Sequence, residues 1–344
     1  MSSTIDISII IPTYDRLWSL PKAIESCRTT TAKVEVIVVD NGSTDGTWEW
    51  LQQQPDVRAI RMDNWGKGWA IVEAFKVAQG EYVRFLDSDD WMVEGANDEQ
   101  LRLVRQEGAD IVVAGYLDWD DESGTLQDYP GNVWMDCDDF IAQQLGEGWS
   151  SHYSTFLFRR DLIRDIPHRQ EFAPDDRLFM IEVALRNPRL AIYRKPAFIH
   201  RRHKKVRMQG ATGIVKTLRT WQHIMAYRKT LALLQRDGEL SPRRKRAPCR
   251  FLWSLARELV KTHPAEASDV YDWIYELDPN FTPPIRPSLA LAYRMLGFRT
   301  TEWLVKLRAS VKRFATTRSG QPSAMAFLFA IVLMALGISW WIDV

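Results

Sequence analysis

The chain has 344 residues, of which 46% are hydrophobic and 26% charged, and this composition excludes a disordered chain and a membrane protein with several spans. The formal net charge of +1 excludes a uniformly basic nucleic-acid-binding protein. The charge is uneven, however: residues 1–136 carry 11 basic and 25 acidic side chains (net −14), and residues 137–344 carry 34 and 19 (net +15), which suggests two parts with different partners.

Short apolar runs alternate with helical stretches in the first third of the chain. The apolar runs predict strands at residues 5–11, 34–40, 57–62, 82–86 and 110–116. Helices are predicted between them, at residues 17–28, 48–53, 66–78 and 98–107. This alternation predicts an α/β fold with a mostly parallel sheet and helices on both faces. Ligands of such sheets bind beyond the carboxyl ends of the strands, so the polar residues there form the candidate site.

The first two predicted strands end in small polar segments. The first ends in Pro12-Thr13-Tyr14-Asp15, and the second in Asp40-Asn41-Gly42-Ser43. Asn-Gly here and the Asp-Gly that follows are typical of turns. A loop of small polar residues at this end of a sheet suits a nucleotide base and ribose, although a plain strand–helix turn would have the same composition.

Three aspartates follow the fourth predicted strand, in Asp87-Ser88-Asp89-Asp90. Alternate residues of an extended backbone point the same way, so Asp87 and Asp89 are expected on one side. Paired carboxylates need a cation between them, and hard oxygen ligands favour Mg²⁺ or Mn²⁺ together with substrate phosphates. Ordinary turn chemistry would explain the segment in isolation, but its position after a buried strand predicts a metal site.

Together these motifs resemble the family-2 glycosyltransferases of the GT-A fold. The matching segments are IIIPTY at residues 9–14, VIVVDNGSTDGT at residues 36–47 and GEYVRFLDSDDW at residues 80–91. The resemblance covers residues 5–116 closely and residues 117–210 more loosely. It implies a nucleotide-diphosphate sugar as donor, with a UDP-sugar favoured, and Asp87 and Asp89 as the metal site. The residues it implies for donor binding are Pro12, Thr13, Tyr14, Asp40, Ser43 and Asp87.

The start of the third predicted helix departs from the family pattern. Many relatives continue with Ala-Arg-Asn, whereas Ile71 and Val72 follow Ala70 here. The preceding Gly66-Lys67-Gly68 instead resembles the polyprenyl-phosphate sugar transferases of the same family. Lys67 is therefore a candidate contact for a donor phosphate at a helix start, or simply a solvated lysine.

Residues 117–210 have a less regular pattern. We predict an acidic loop at residues 118–122, a helix at 136–145, a strand at 153–158, a helix at 176–186 and a strand at 190–199. Inverting members of the family carry an acidic pair at the head of a helix, and its second acid takes the proton of the acceptor hydroxyl. That resemblance makes Asp176, in Pro174-Asp175-Asp176, the candidate base, although helix capping would explain the pair as well.

A basic segment, residues 200–205 (HRRHKK), follows the last of these strands. Relatives place a flexible loop here that closes on the diphosphate, which makes Arg201, Arg202 and His203 candidates, with a solvated basic edge as the alternative. The other histidines, His152, His223 and His263, have no evident partners, and we interpret them as structural. The chain lacks the Gln-x-x-Arg-Trp motif of processive synthases, which favours the addition of one or a few sugars.

The C-terminal part is predicted to be helical and to end in a membrane anchor. Residues 324–342 are apolar and long enough to span a bilayer, with a buried helix as the alternative. Five basic residues between Lys306 and Arg318 precede this segment, which places the rest of the chain on the cytoplasmic side of the membrane. An interfacial amphipathic helix is predicted from helically spaced apolar residues, namely Trp303, Leu304, Leu307, Val311 and Phe314.

The sequence thus predicts four parts. Residues 1–116 form the nucleotide-sugar-binding half of a GT-A domain and residues 117–210 its acceptor-binding half. Residues 211–318 form a helical region with the juxtamembrane helix, and residues 319–344 form the anchor. The predicted function is metal-dependent, inverting transfer of a sugar to a hydroxyl of a lipid-linked glycan, polysaccharide precursor or glycolipid at the cytoplasmic membrane face. Two alternatives stay open: sugar transfer to a polyprenyl phosphate, and a non-catalytic, nucleotide-binding membrane scaffold.

Overall fold

The computed structural model describes residues 5–128, 137–148, 152–166, 168, 176–205 and 213–316, with side chains as far as residue 308. The chain divides into two compact units, Met1–Lys229 and Thr230–Val344. Its helices are α1 (Leu20–Arg28), α2 (Thr47–Leu51), α3 (Lys67–Val77), α4 (Ala96–Glu107), α5 (Phe140–Leu145), α6 (Arg160–Ile163), α7 (Asp176–Ala184), α8 (Gly213–Arg236), α9 (Pro242–Arg246), α10 (Cys249–Leu259), α11 (Pro264–Leu277), α12 (Pro287–Leu296) and α13 (Phe298–Thr316).

A single sheet, nine-stranded over the described residues, forms the centre of the first unit. Its strands are β1 (Ile7–Thr13), β2 (Val34–Asp40), β3 (Val57–Arg61), β4 (Tyr82–Phe85), β5 (Trp91–Met92), β6 (Ile111–Asp120), β7 (Thr125–Asp128), β8 (Leu157–Arg159) and β9 (Leu190–Arg202). The spatial order is β3-β2-β1-β4-β8-β6-β9-β5, and β7 pairs with β6. The α/β fold class predicted from the sequence is confirmed.

The buried core of the first unit supports the strand ends that carry the polar residues. All seven residues of β1 are buried, and β1 lies between β2 and β4 in parallel pairing. Helix α1 turns Leu20, Ala23, Ile24 and Cys27 into this core. Burying one isoleucine completely stabilises the fold by about 1.5–3 kcal/mol, so β1 is a rigid support for the polar residues that follow it.

The sheet contains both parallel and antiparallel strand pairs. Strands β1 to β4 are parallel, and β6 is parallel to β9, but β8 is antiparallel to both β4 and β6, and β5 is antiparallel to β9. Because β8 is antiparallel to both of its neighbours, β6 and β9 run in the same direction as β1 to β4. The prediction of a mostly parallel sheet is therefore confirmed, with β5, β7 and β8 as the antiparallel strands of the described residues. Apolar content marks buried strands, but it does not report their direction.

Three predicted elements of the irregular region differ in the structure. The predicted acidic loop at residues 118–122 is largely strand, because β6 continues to Asp120 and forms a hairpin with β7. The predicted strand at residues 153–158 begins as the 3-10 turn Tyr153–Thr155, in which the Thr155 amide donates to His152 O at 2.9 Å, before β8 starts. Strand β9 continues to Arg202, because residues 118–120 of β6 pair with residues 200–202.

The predicted anchor, residues 324–342, lies outside the described residues. Within the described ranges, no helix is both long and apolar enough to cross a membrane.

Candidate active site

The carboxyl ends of β1 and β2 form one side of the candidate site. Thr13 and Asp40 are neighbours in the parallel register and are almost completely buried. Thr13 Oγ1 and Asp40 Oδ2 are buried without a hydrogen-bond partner among the described residues, and Arg61 Nε lies 3.7 Å from the same Asp40 oxygen. A buried polar atom without a partner is costly, so these two atoms are suited to bind a ligand.

The loops after β1 and β2 hold each other in place. The Asp15 amide donates to Ser43 Oγ at 2.8 Å, and the Thr44 amide donates to Asp15 Oδ1 at 2.8 Å. The Ser43 amide donates to Asp40 Oδ1 at 3.2 Å. The hydroxyl oxygen of Ser43 therefore orders the loop. Pro12 is buried in β1, whereas Tyr14 exposes 37% of its surface beside this loop.

Lys67 connects the acidic strand end to the candidate base. Its Nζ lies 2.7 Å from Asp87 Oδ1 and 3.7 Å from Asp176 Oδ2. Burial alone would lower the pKa of Lys67, but the carboxylates of Asp176 and Asp87 outweigh it and raise the pKa. Lys67 is thus a charged, mostly covered residue in this structure rather than a solvated lysine. Asp176 begins α7 and remains 44% exposed, and Asp175 lies outside the described residues.

An acidic cluster follows β4. Ligand atoms of Asp87, Asp90 and His152 lie within 4.8 Å of one another. Lys67 and then His152 hold the pKa of Asp87 at about 2, although burial alone would raise it. Burial, and then the carboxylates of Asp87 and Asp89, raise the pKa of Asp90 well above its usual value. Asp90 Oδ1 accepts from the Arg201 amide at 2.8 Å, and its buried Oδ2 has no hydrogen-bond partner in the described part of the chain.

In this cluster the neutral ring of His152 carries its proton on Nε2. Burial lowers the pKa of His152 to about 4, with Asp87 opposing the shift. The Ser154 amide donates to His152 Nδ1 at 3.3 Å, which leaves the proton of the neutral ring on Nε2, 3.9 Å from Asp87 Oδ2. With that proton in place, Nε2 has no lone pair for a metal. The oxygens of Asp87 and Asp90 therefore fit a hard divalent cation, with His152 beside them.

Asp89 points to the end of β9 rather than into this cluster. Its Oδ2 lies 3.0 Å from His203 Nε2 and 3.8 Å from Arg16 Nε. The Lys205 amide donates to His203 Nδ1, so the neutral His203 ring donates from Nε2 to Asp89. The His203 side chain is only 2% exposed and packs edge-on against Trp18, with ring centroids 4.9 Å apart.

The two predicted diphosphate arginines belong to β9 and not to a loop. Arg201 Nε donates to Asp121 at 2.8 Å, and its guanidinium lies 4.8 Å from the Trp18 ring. Arg202 is exposed and pairs in register with Asp120. Within the basic segment, the His203 side chain contacts Asp89, a candidate metal ligand.

Sequence reasoning missed Asp90 and His152. The interpretation of His152 as structural is corrected by its position beside Asp87. The expectation that alternate residues point the same way favoured Asp89 over Asp90, because it assumed that the strand continues past Leu86. In the structure β4 ends at Phe85, and the Asp90 amide donates to Asp87 O in a turn. No local pattern marks His152, because its partners come from distant parts of the chain.

A buried arginine joins the two halves of the site. Arg84 in β4 is fully buried, and its guanidinium donates to Ser154 O at 3.0 Å and to Gln100 Oε1. It thereby holds the turn that follows His152 against the strand that leads to Asp87.

We expect Arg84→Met to lower the free energy of unfolding by about 2–4 kcal/mol, because two buried acceptors would lose their donor. Urea unfolding followed by tryptophan fluorescence measures this change. Arg102→Met, on the exposed side of α4, is the control and should change stability by less than about 0.5 kcal/mol. Equal unfolding midpoints for Arg84→Met and wild type would contradict the role of Arg84.

Comparisons with known proteins relate the chain to glycosyltransferases. Residues 8–167 match the model of Glycosyl transferase family 2. The chain is 24% identical to glycosyltransferase GlyG of Streptococcus pneumoniae serotype 4 over 212 residues, covering 57% of this chain and 70% of that protein. It is 36% identical to the UDP-Glc:alpha-D-GlcNAc-diphosphoundecaprenol beta-1,3-glucosyltransferase WfaP of Escherichia coli over 105 residues, covering 29% of this chain and 42% of that protein.

Among solved structures, S. aureus TarS 1-349 in complex with UDP-GlcNAc superposes with a TM-score of 0.64 at 18% sequence identity. The match covers 88% of this chain and 92% of TarS 1-349. At this level of identity the similarity concerns the fold.

Proposed function

The chain belongs to glycosyl transferase family 2 through residues 8–167, and from that premise we propose that it transfers a sugar with inversion from a UDP-sugar. The acceptor is a hydroxyl of a lipid-linked glycan, polysaccharide precursor or glycolipid at the cytoplasmic membrane face. The observation that carries the proposal is the line of groups at the strand ends. These groups are the buried polar atoms of Thr13 and Asp40, which accept or donate no hydrogen bond among the described residues, and then Asp87, Lys67 and Asp176.

Thr13 and Asp40 are proposed to bind the nucleoside of the donor. A carboxylate oxygen accepts from a base N–H, and a hydroxyl can donate or accept, so the pair suits a uracil edge. Tyr14 offers an exposed ring for stacking, while Pro12 and Ser43 hold the loop in shape. The names of WfaP, with UDP-Glc, and of the TarS complex, with UDP-GlcNAc, support UDP as the nucleotide.

We expect Asp40→Asn to weaken UDP binding about 10–100-fold, because an amide would leave the ligand's buried N–H with a poorer acceptor. Calorimetric titration with UDP in the presence of Mn²⁺ measures the affinity. Asp63→Asn, an exposed aspartate after β3, is the control and should bind UDP as wild type does. Unchanged affinity in Asp40→Asn would remove Asp40 from the nucleoside site.

A divalent cation, Mn²⁺ or Mg²⁺, is proposed at the end of β4. Asp87 would hold it together with Asp90, whose buried Oδ2 is free of hydrogen bonds among the described residues. Asp89, the second aspartate of the motif, would join them by exchanging its contact with His203 Nε2 for the cation. When bound, the cation would offset the negative charge that develops on the departing diphosphate. Lys67 supplies a positive charge beside Asp87, and Arg201 and Arg202 of β9 remain candidates for the outer phosphate.

Asp176 is the proposed base that takes the proton of the acceptor hydroxyl. Its partial exposure allows a substrate to reach it, and Lys67 and the N-terminus of α7 both favour its charged form. A carboxylate that stays charged is ready to accept a proton from an attacking hydroxyl.

Transfer to a polyprenyl phosphate is the second candidate. The position of Lys67 between Asp87 and Asp176 favours it, because the same ammonium could bind the phosphate of such an acceptor. This acceptor is already an anion and needs no base, so the Asp176→Asn variant separates the two candidates. The chain is a glycosyltransferase by family, which argues against a non-catalytic scaffold.

The membrane location is proposed from the sequence. Residues 324–342 would anchor the chain in the cytoplasmic membrane, with the catalytic part on the cytoplasmic side. The name of WfaP, with a diphosphoundecaprenol acceptor, supports a lipid-linked substrate.

A further inference from the structure

Helices α12 and α13 of the second unit expose large apolar side chains. They are Leu291 (55% exposed), Met295 (75%), Leu296 (40%) and Trp303 (60%), and we call them the α12–α13 patch. Leu291 and Met295 are one turn apart and share a face of α12. Exposed apolar groups of this size on one helix pair are unusual on a water-facing surface and indicate an interaction site.

The patch is not needed to complete the core of this unit. The opposite sides of the same helices already pack inward: Tyr293 lies 4.9 Å from the Trp253 ring, and Phe298 lies 4.9 Å from the Tyr271 ring. Leu304, which the sequence assigned to a lipid-facing stripe, is also buried. The exposed apolar face therefore shares Trp303 with the predicted stripe but not Leu304, and it is additional to the core.

The charged side chains of the segment that carries the patch are mostly basic. Residues 286–308 contain five basic side chains and one acidic side chain, Glu302. Glu302 is 11% exposed and accepts from Arg257 Nε at 2.9 Å and from Tyr293 OH at 2.5 Å, so its charge is directed inward. Arg294 and Arg299 are exposed next to the apolar residues. The surface thus combines apolar side chains with positive charge.

We propose that the α12–α13 patch docks on an anionic lipid surface. Apolar side chains enter the boundary between headgroups and acyl chains, while Lys and Arg side chains near an anionic leaflet add electrostatic attraction. A second copy of the chain fits less well, because it would bring the same positive charges together. The docking is a contact separate from residues 324–342, and it does not depend on the catalytic assignments.

A fluorescent label at residue 295 tests the docking in the full chain. Met295→Cys is labelled with a polarity-sensitive dye after Cys137→Ser, because the other two cysteines are buried. With phosphatidylcholine vesicles that contain one-third phosphatidylglycerol, we expect a blue shift and quenching by brominated acyl chains. Asp272→Cys on α11, also exposed, carries the control label and should show neither change.

Charge reversal tests the electrostatic part of the docking. Arg294→Glu with Arg299→Glu should weaken the vesicle-dependent shift about tenfold or more. An unshifted label at residue 295 while the chain cosediments with vesicles would overturn the docking. So would a shift that needs no vesicles and grows with protein concentration, since that would indicate a second copy. UDP binding, measured in parallel on all variants, reports separately on the proposed function.

Discussion

Replacing Asp87 with Asn is expected to lower the rate of sugar transfer about 1000-fold, equivalent to ~4 kcal/mol of transition-state stabilisation. Asp87 is where the parts of the candidate site meet, because it contacts Lys67 at 2.7 Å and belongs to the cluster with Asp90 and His152. The amide would remove one carboxylate ligand and leave the Lys67 ammonium without its closest partner. UDP release at increasing Mn²⁺ concentration measures both the rate and the metal requirement.

Asp56→Asn is the matched control for this change. Asp56 is half exposed and pairs with Arg28 on the surface, so its loss should alter the rate less than about twofold. Mn²⁺ binding followed by electron paramagnetic resonance gives an independent readout and should weaken only in Asp87→Asn. A rate for Asp87→Asn close to that of wild type would remove the metal site from the end of β4.

Replacing Asp176 with Asn is expected to lower the rate about 10²–10⁴-fold with a hydroxyl acceptor, the range typical of a lost general base. UDP affinity should stay unchanged, because Lys67 keeps its shorter contact to Asp87. Single-turnover transfer and calorimetric titration separate these two effects. Glu182→Gln on the same helix α7 is the control and should transfer sugar at the wild-type rate.

The acceptor decides how the Asp176 result is interpreted. A full rate with a hydroxyl acceptor would show that Asp176 is not the base. A full rate for Asp176→Asn with a polyprenyl phosphate, and poor transfer to hydroxyls by wild type, would establish the second candidate function.

The strand ends of the first half were predictable from the sequence for physical reasons. Strands β1, β2 and β4 are short apolar runs buried on both faces, and such runs stand out from their polar surroundings. Because parallel strands end at the same edge, the polar residues after them had to lie near one another. Thr13 and Asp40, which are register partners, are the clearest example.

The second half of the site depends on contacts that a local pattern does not contain. His152 reaches Asp87 through the turn Tyr153–Thr155, which is held by buried Arg84. Strand β9 continues through Arg201 and Arg202 because β6 supplies partners from distant sequence. These pairings are set by tertiary packing, which overrides the flexible loop expected from composition.

The most direct measurement of the central proposal is the anomeric configuration of the product. Purified full-length protein would be given UDP-α-glucose or UDP-α-GlcNAc, Mn²⁺ and an undecaprenyl-diphosphate-linked sugar, the acceptor class in the name of WfaP. We expect UDP release to match the formation of a β-linked product by proton NMR, and both to stop with EDTA and in Asp87→Asn. An α-linked product, or transfer that persists in EDTA and in Asp87→Asn, would contradict inverting, metal-dependent transfer at this site.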